Sequence, residues 1–320
     1  MTELEKAALI AVRECLGIRS HESLLVVTDP PLASLARALA EAARPLAREV
    51  LVLEYAVREL NGQEPPAPVP EAMKGVDAVL AVTTRSITHT AARRGATAAG
   101  ARVATMPGIT EDCLIRTMNA DYEAIARRTQ RVAALLTAAK VARVTTAAGT
   151  DITMPIDGIA AIASTGLIRA KGQWGNLPSG EAYMRPDEGR SEGVVVVDAS
   201  LAGIGKLASP VRITVERGMA VAVDGGDEAR RFLAQMEKAG PAARTVAELG
   251  VGTNDRAVVT GAILEDEKIL GTVHIAFGNN ASMGGTVDVP FHVDGILLRP
   301  TLELDGVAIL REGMPLFGNT

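Results

Sequence analysis

The chain has 320 residues, 48% of them hydrophobic and 22% charged, with a formal net charge of −5. A composition this close to that of folded proteins excludes disorder, and at roughly 150 residues per domain the length suggests two domains. Aromatic residues make up only 2% and no long basic run occurs, so neither stacking on single strands nor phosphate-backbone binding has support, and no nucleic-acid partner is expected.

The two cysteines, Cys15 and Cys113, are far apart and form neither a metal-type spacing nor a disulfide framework. The first residues (MTELEK) are acidic and do not read as a signal peptide, and no apolar run reaches the roughly 18 residues of a membrane span. A cytoplasmic protein without a membrane partner is the expectation.

In chain order, residues 23–28 (SLLVVT) read as a buried strand, and Asp29-Pro30-Pro31 supply helix-start chemistry for a helix over 32–43. Further strands are predicted at 50–55, 77–83 and 102–105, with helices over 88–99 and 121–139 and a Pro-rich surface loop at 62–70. This alternation predicts an α/β domain with a mostly parallel sheet over residues 1–139. Beyond it short β-like runs dominate, at 142–147, 151–155, 193–198, 211–216, 220–224 and 296–304. Turn signals such as Asp224-Gly225-Gly226 separate them, and a helix over 226–239 and a second near Val246 interrupt the series. Residues 140–320 are therefore expected to form an α+β domain on an antiparallel sheet that carries the metal site.

Phosphate-loop and dinucleotide signatures fail. Gly203-Ile204-Gly205-Lys206 is followed by Leu207 where a Ser or Thr is required, and the turn at Asp29 lacks the glycine fingerprint. His21 and His89 stand alone. His274, in GTVHIAFG, and His292, in FHVDG, fall in one glycine-rich stretch, and in a strand His292 and Asp294 would project from the same face. Two imidazoles and a carboxylate make a donor set for a divalent metal. Two further acids, Glu181 beside a turn-rich segment and Glu248 before a tight turn, are candidates to join them.

The strings NLPSGEAY at 176–183, AELGVGTN at 247–254, EDEKILGTVHIAFG at 265–278 and FHVDG at 291–295 resemble the thermophilic metalloaminopeptidases of the aminopeptidase T and aminopeptidase S family. That resemblance implies five ligands to a pair of divalent ions: Glu181, Glu248, His274, His292 and Asp294. It also implies a catalytic role for Glu248 in proton transfer and a homodimer. Three carboxylates against two divalent ions would leave positive charge to acidify a bridging water. The family's oxyanion-stabilising tyrosine is replaced here by Ala281; Tyr183, two residues after Glu181, is the candidate substitute, and Arg185 on the same face is a candidate for binding an anionic group of the substrate.

The same segments also resemble the 2,5-dihydroxypyridine dioxygenases. These hold one iron(II) and differ at the positions of Glu181, Glu248 and His274; His274, His292 and Asp294 could form the two-His-one-carboxylate triad of such oxygenases. A degenerate binding protein is the third reading. Retention of both Glu181 and Glu248 favours the first. The expectation is thus a metallohydrolase cleaving an amide bond of a peptide or small amide, with two ions of Zn, Mn or Co, or with Fe if the oxygenase reading holds.

Overall fold

The computed structural model describes residues 1–318 and divides the chain into two compact units. One comprises Met1–Ala126 and Thr165–Ser179, the other Arg127–Ser164 and Gly180–Thr320. The divide falls inside the helix Tyr122–Ala138 rather than at residue 139, and a later segment returns to the first unit.

The first unit is built on a five-stranded parallel sheet, in the order Glu49–Glu54, Ser23–Thr28, Ala78–Val82, Arg102–Thr105 and Trp174–Asn176. Ser23–Thr28, Ala78–Val82 and Arg102–Thr105 are buried along their whole length, which is why they read as continuous apolar runs rather than as alternations. The edge strand Glu49–Glu54 is largely exposed and ends in a glutamate at both sides, charges that discourage further pairing. Helices start where the sequence offers caps: Thr90 and Thr110 each accept a hydrogen bond from the amide three residues on. The 3-10 turn Pro30–Leu32 precedes the helix Ala33–Ala43, and the expected loop at 62–70 already ends in the helix Pro68–Lys74, because proline is tolerated in a first helical turn. Under this sheet Arg102 donates two hydrogen bonds to Glu22, at 2.8 and 2.7 Å, with both side chains buried. The bond from Arg102 holds the Glu22 carboxyl below its ordinary value.

The second unit carries two antiparallel sheets. Eight strands run in the order Met219–Asp224, Val211–Glu216, Glu192–Val197, Asp151–Pro155, Val141–Thr145, Thr301–Leu304, Val307–Arg311 and Met314–Pro315. Seven run in the order Gly205–Lys206, Ser200–Leu201, His292–Leu297, Val273–Gly278, Val246–Gly252, Glu181–Met184 and Ile162–Ser164. The architecture is thus the anticipated α/β unit followed by an α+β unit. Two local expectations fail. The segment near Val246 is a strand, preceded only by the 3-10 turn Pro241–Arg244, and the run at 296–304 breaks at Arg299-Pro300 into strands of different sheets.

The seven-stranded sheet is two-faced. Met184, Leu249, Val251, Val273, Ile275, Phe277, Val293 and Leu297 all enter the unit's hydrophobic core. Alternation by two therefore sends Glu181, Tyr183, Glu248, His274, His292 and Asp294 to the other face. Val246 opposes Phe277 and Glu248 opposes Ala276, so Ala247 is an extra residue, a β-bulge directly before Glu248. Among the described residues no helix is long and apolar enough to cross a membrane.

Candidate metal centre

Cross-strand register brings the candidate ligands together. Glu248, Ala276 and Asp294 form one row across three strands; Tyr183, Gly250 and His274 form the next. Small residues at alternate positions leave the space the ligands occupy. A Cβ on Gly250 would lie 1.9 Å from Nε2 of His274, so the imidazole rests directly on the glycine backbone.

Glu248 sits between the two histidines. Its Oε1 is 3.2 Å from His274 Nε2 and its Oε2 is 3.4 Å from His292 Nε2. Asp294 Oδ1 lies 3.5 Å from His292 Nε2, and Glu181 Oε2 lies 3.5 Å from His274 Nε2. All these side chains are buried except that of His292, which is 34% exposed and opens the centre to solvent. Among the described residues the group able to hold a metal is Glu248, His292 and Asp294, whose donor atoms lie within 4.8 Å of one another. The compact trio thus has one histidine and two carboxylates, and the His274–His292–Asp294 triad is not what the geometry gathers most tightly.

The donor chemistry fits a cation. His292 Nδ1 lies 2.7 Å from the carbonyl oxygen of Asn279, which can only accept, so this nitrogen carries the proton. The lone pair of neutral His292 then faces the oxygens of Glu248 and Asp294. Three acceptors converging on one point need a cation between them. Protons answer the same demand. Burial alone would depress the His274 imidazole, yet its bond to Glu248 and the surrounding carboxylates push it up to about 9. His292 is raised well above its ordinary value despite burial, by Asp294 and Glu248, and the two imidazoles hold Glu248 well below its own. A bound metal would displace these protons.

One buried charge beside the site escaped the sequence reading. Lys268 is fully buried, and its ammonium donates to Glu181 Oε1 at 2.7 Å and to Glu267. Burial would lower its pKa, but the two carboxylates more than compensate and hold it charged. The available signal was a lone cation in the otherwise apolar run KILGTVHIAFG. Tyr183 shares the site face, and burial, with the charges of Glu181 and Glu248, raises its hydroxyl pKa, so the group stays protonated. Arg185 lies beyond the strand end and donates to the Pro186 carbonyl at 3.2 Å; its buried Nε has no hydrogen-bond partner among the described residues. Ala281 opens a 3-10 turn, and His21 and His89 are exposed, His89 edge-on to Trp174.

The model of the NicX family, 2,5-dihydroxypyridine 5,6-dioxygenase, matches residues 36–316. A 2,5-dihydroxypyridine 5,6-dioxygenase of Pseudomonas putida is 26% identical over 205 residues, which span 58% of this chain and 57% of that protein. The matched stretch thus covers little more than half of that relative. The solved structure of the Pseudomonas putida dioxygenase superposes with a TM-score of 0.83 at 21% identity, covering 99% of this chain and 98% of that one. Wild-type AmpT from Thermus thermophilus superposes with a TM-score of 0.73 at 22% identity, covering 98% and 99%.

These matches overturn the metallohydrolase reading. The likeness to the aminopeptidase is one of fold, and donor strings on a shared scaffold do not carry a reaction type with them. Amide hydrolysis, a peptide substrate and the assignment as an aminopeptidase or metalloprotease are corrected accordingly. A metal cofactor is retained, and among the described residues one compact group able to hold a metal is found rather than an evident pair of sites. With a family match running over most of its length, the chain belongs to the 2,5-dihydroxypyridine 5,6-dioxygenase family.

Proposed function

We propose that this protein is an iron(II)-dependent dioxygenase that opens the ring of a hydroxylated pyridine such as 2,5-dihydroxypyridine. The observation that carries the reading is the convergence of Glu248, His292 and Asp294 within a chain of this family. Ring cleavage of this type places both atoms of dioxygen in the product, so no external reductant is needed. Glu248, His292 and Asp294 would hold the ion, with His274 bonded to Glu248 beside them. Bound iron(II) supplies the redox chemistry by which a closed-shell ring reacts with dioxygen.

The remaining work falls to the chain's own groups. The Asn279 carbonyl fixes the tautomer of His292 and aims its lone pair. Tyr183, held protonated on the site face, offers a hydrogen bond to a ring oxygen. Arg185, with an unused buried N–H, is the candidate for an anionic group of the substrate. The homodimer stays part of the proposal, as what the resemblance of the site strings implies.

The test is oxygen uptake by anaerobically purified, iron-loaded protein on addition of 2,5-dihydroxypyridine, with labelled dioxygen traced into the product. Two labelled atoms in a ring-opened product are expected. Folded, iron-loaded protein that consumes no oxygen with any hydroxylated pyridine would sink the reading.

A further inference from the structure

We propose that Glu188 is a positioning residue that sets the aim of His292 by tethering the loop between the two strands that carry the histidines. Val273–Gly278 contains His274, His292–Leu297 begins with His292, and residues 279–291 join them. His292 is the candidate ligand with appreciable exposure, so packing leaves one side of its ring unsupported. The ring is held instead by the Asn279 carbonyl, 2.7 Å from Nδ1. The N–H of that same peptide unit, which belongs to Asn280, donates to the Val287 carbonyl at 3.0 Å. The plane that carries the carbonyl is thus gripped at both edges.

Where that plane sits depends on what holds the loop. Asn280 is fully buried; its side-chain oxygen accepts from the Val287 amide at 2.9 Å, and its side-chain nitrogen donates to Glu188 Oε1 at 2.9 Å. Glu188 accepts two further bonds, from the Thr286 amide at 2.7 Å and from the Thr286 hydroxyl. Gly285 leaves room for this arrangement, since a Cβ there would lie 2.1 Å from Asn280 Oδ1. Among the described residues, the other hydrogen bonds of residues 279–291 run within the segment or to His292. Glu188, four residues beyond the strand Glu181–Met184, is therefore the polar tether between this loop and another part of the chain. What the tether needs is the reach of the side chain and its acceptor oxygens, not its charge.

The inference rests on the reading of His292 as a metal ligand, and its test reads metal affinity and not turnover. Protein stripped of metal is titrated with Mn(II) under exclusion of oxygen, and each variant is melted to show that it is folded. Glu188→Gln has the same reach. Its amide oxygen can take both bonds now made to Oε1 and its nitrogen can donate to the Thr286 hydroxyl, so affinity stays near that of wild type. Glu188→Asp keeps the charge but falls one methylene short, and Kd rises by about 10-fold or more, the loss expected when the support of a metal ligand is removed. Glu188→Ala does the same. A weak Gln variant beside a tight Asp variant would mean that Glu188 acts through its charge, and overturns the proposal. Wild-type affinity in all three folded variants, or an equal loss in the Gln and Ala variants, overturns it as well. Wild-type protein that takes up no Mn(II) is a separate result: it refutes the metal reading itself, and the proposal with it. Protein that binds Mn(II) but opens no pyridine ring leaves these outcomes in force, so the two readings can fail separately.

Discussion

Replacing Gly250 by alanine tests the packing of the centre most directly. The backbone there tolerates an L-residue, so the effect is one of space alone. The new Cβ would lie 1.9 Å from His274 Nε2, and restoring ordinary contact at 3.4 Å requires a displacement of about 1.5 Å. His274 has no exposed surface into which to move, and its 3.2 Å bond to Glu248 breaks when it does. Overpacking costs about 1–3 kcal/mol and the lost charged hydrogen bond about 1.5–3 kcal/mol, so Gly250→Ala should destabilise the second unit by about 2.5–6 kcal/mol. At about 2–4 °C per kcal/mol the melting temperature falls by roughly 5–24 °C. Metal affinity falls too, since Glu248 loses the partner that orients it, and such losses cost about 10–100-fold. Calorimetric melting and anaerobic Mn(II) titration read both effects. A Gly250→Ala protein with wild-type melting and wild-type affinity would show that His274 does not lie on the glycine.

Other outcomes follow from the same geometry. His292→Ala and Asp294→Asn should each lower metal content measured by elemental analysis while the protein stays folded, because both remove a donor of the compact trio. Chelation should lower the melting temperature, and restoring metal at 100 times its Kd should return about 2.7 kcal/mol of stability. Tyr183→Phe should lower turnover by about tenfold, the worth of one hydrogen bond, with metal content unchanged. Glu22→Gln should cost the first unit about 3–5 kcal/mol near neutral pH by leaving Arg102 buried and unpaired. Because the folded-state pKa of Glu22 is depressed, the pair contributes fully above the ordinary carboxylate value of 4.5. The difference between wild type and variant, followed by denaturant titration, should therefore shrink as pH falls below that value.

The first unit was legible because its central strands are buried on both faces and announce themselves as apolar runs. The strand Trp174–Asn176 was not, since three residues with a central glycine carry no periodicity. Around Val246 the reading went wrong for a physical reason. The bulge at Ala247 and the glycines at 250 and 252 erase the alternation, while Gly250 is there to make room for an imidazole and not to end a helix. The donor residues were visible as residue types in matched strings, and the sheet brings them onto one face. Which donors converge most tightly was not visible, because it depends on cross-strand register. Lys268 was missed because a single lysine says nothing of its surroundings until the fold buries it against Glu181 and Glu267.

The strict division of labour between the two faces of the seven-stranded sheet bears on how such a scaffold diversifies. Residues that hold the core and residues that present chemistry alternate along the same strands, yet they point to opposite sides. A substitution on the polar side can therefore rewrite the donor set without disturbing the packing that keeps the strands in register. New reactivity can be sampled one side chain at a time, at little risk to folding. That independence accounts for one architecture serving both a dioxygenase and AmpT, with TM-scores of 0.83 and 0.73 to this chain at barely one-fifth identity.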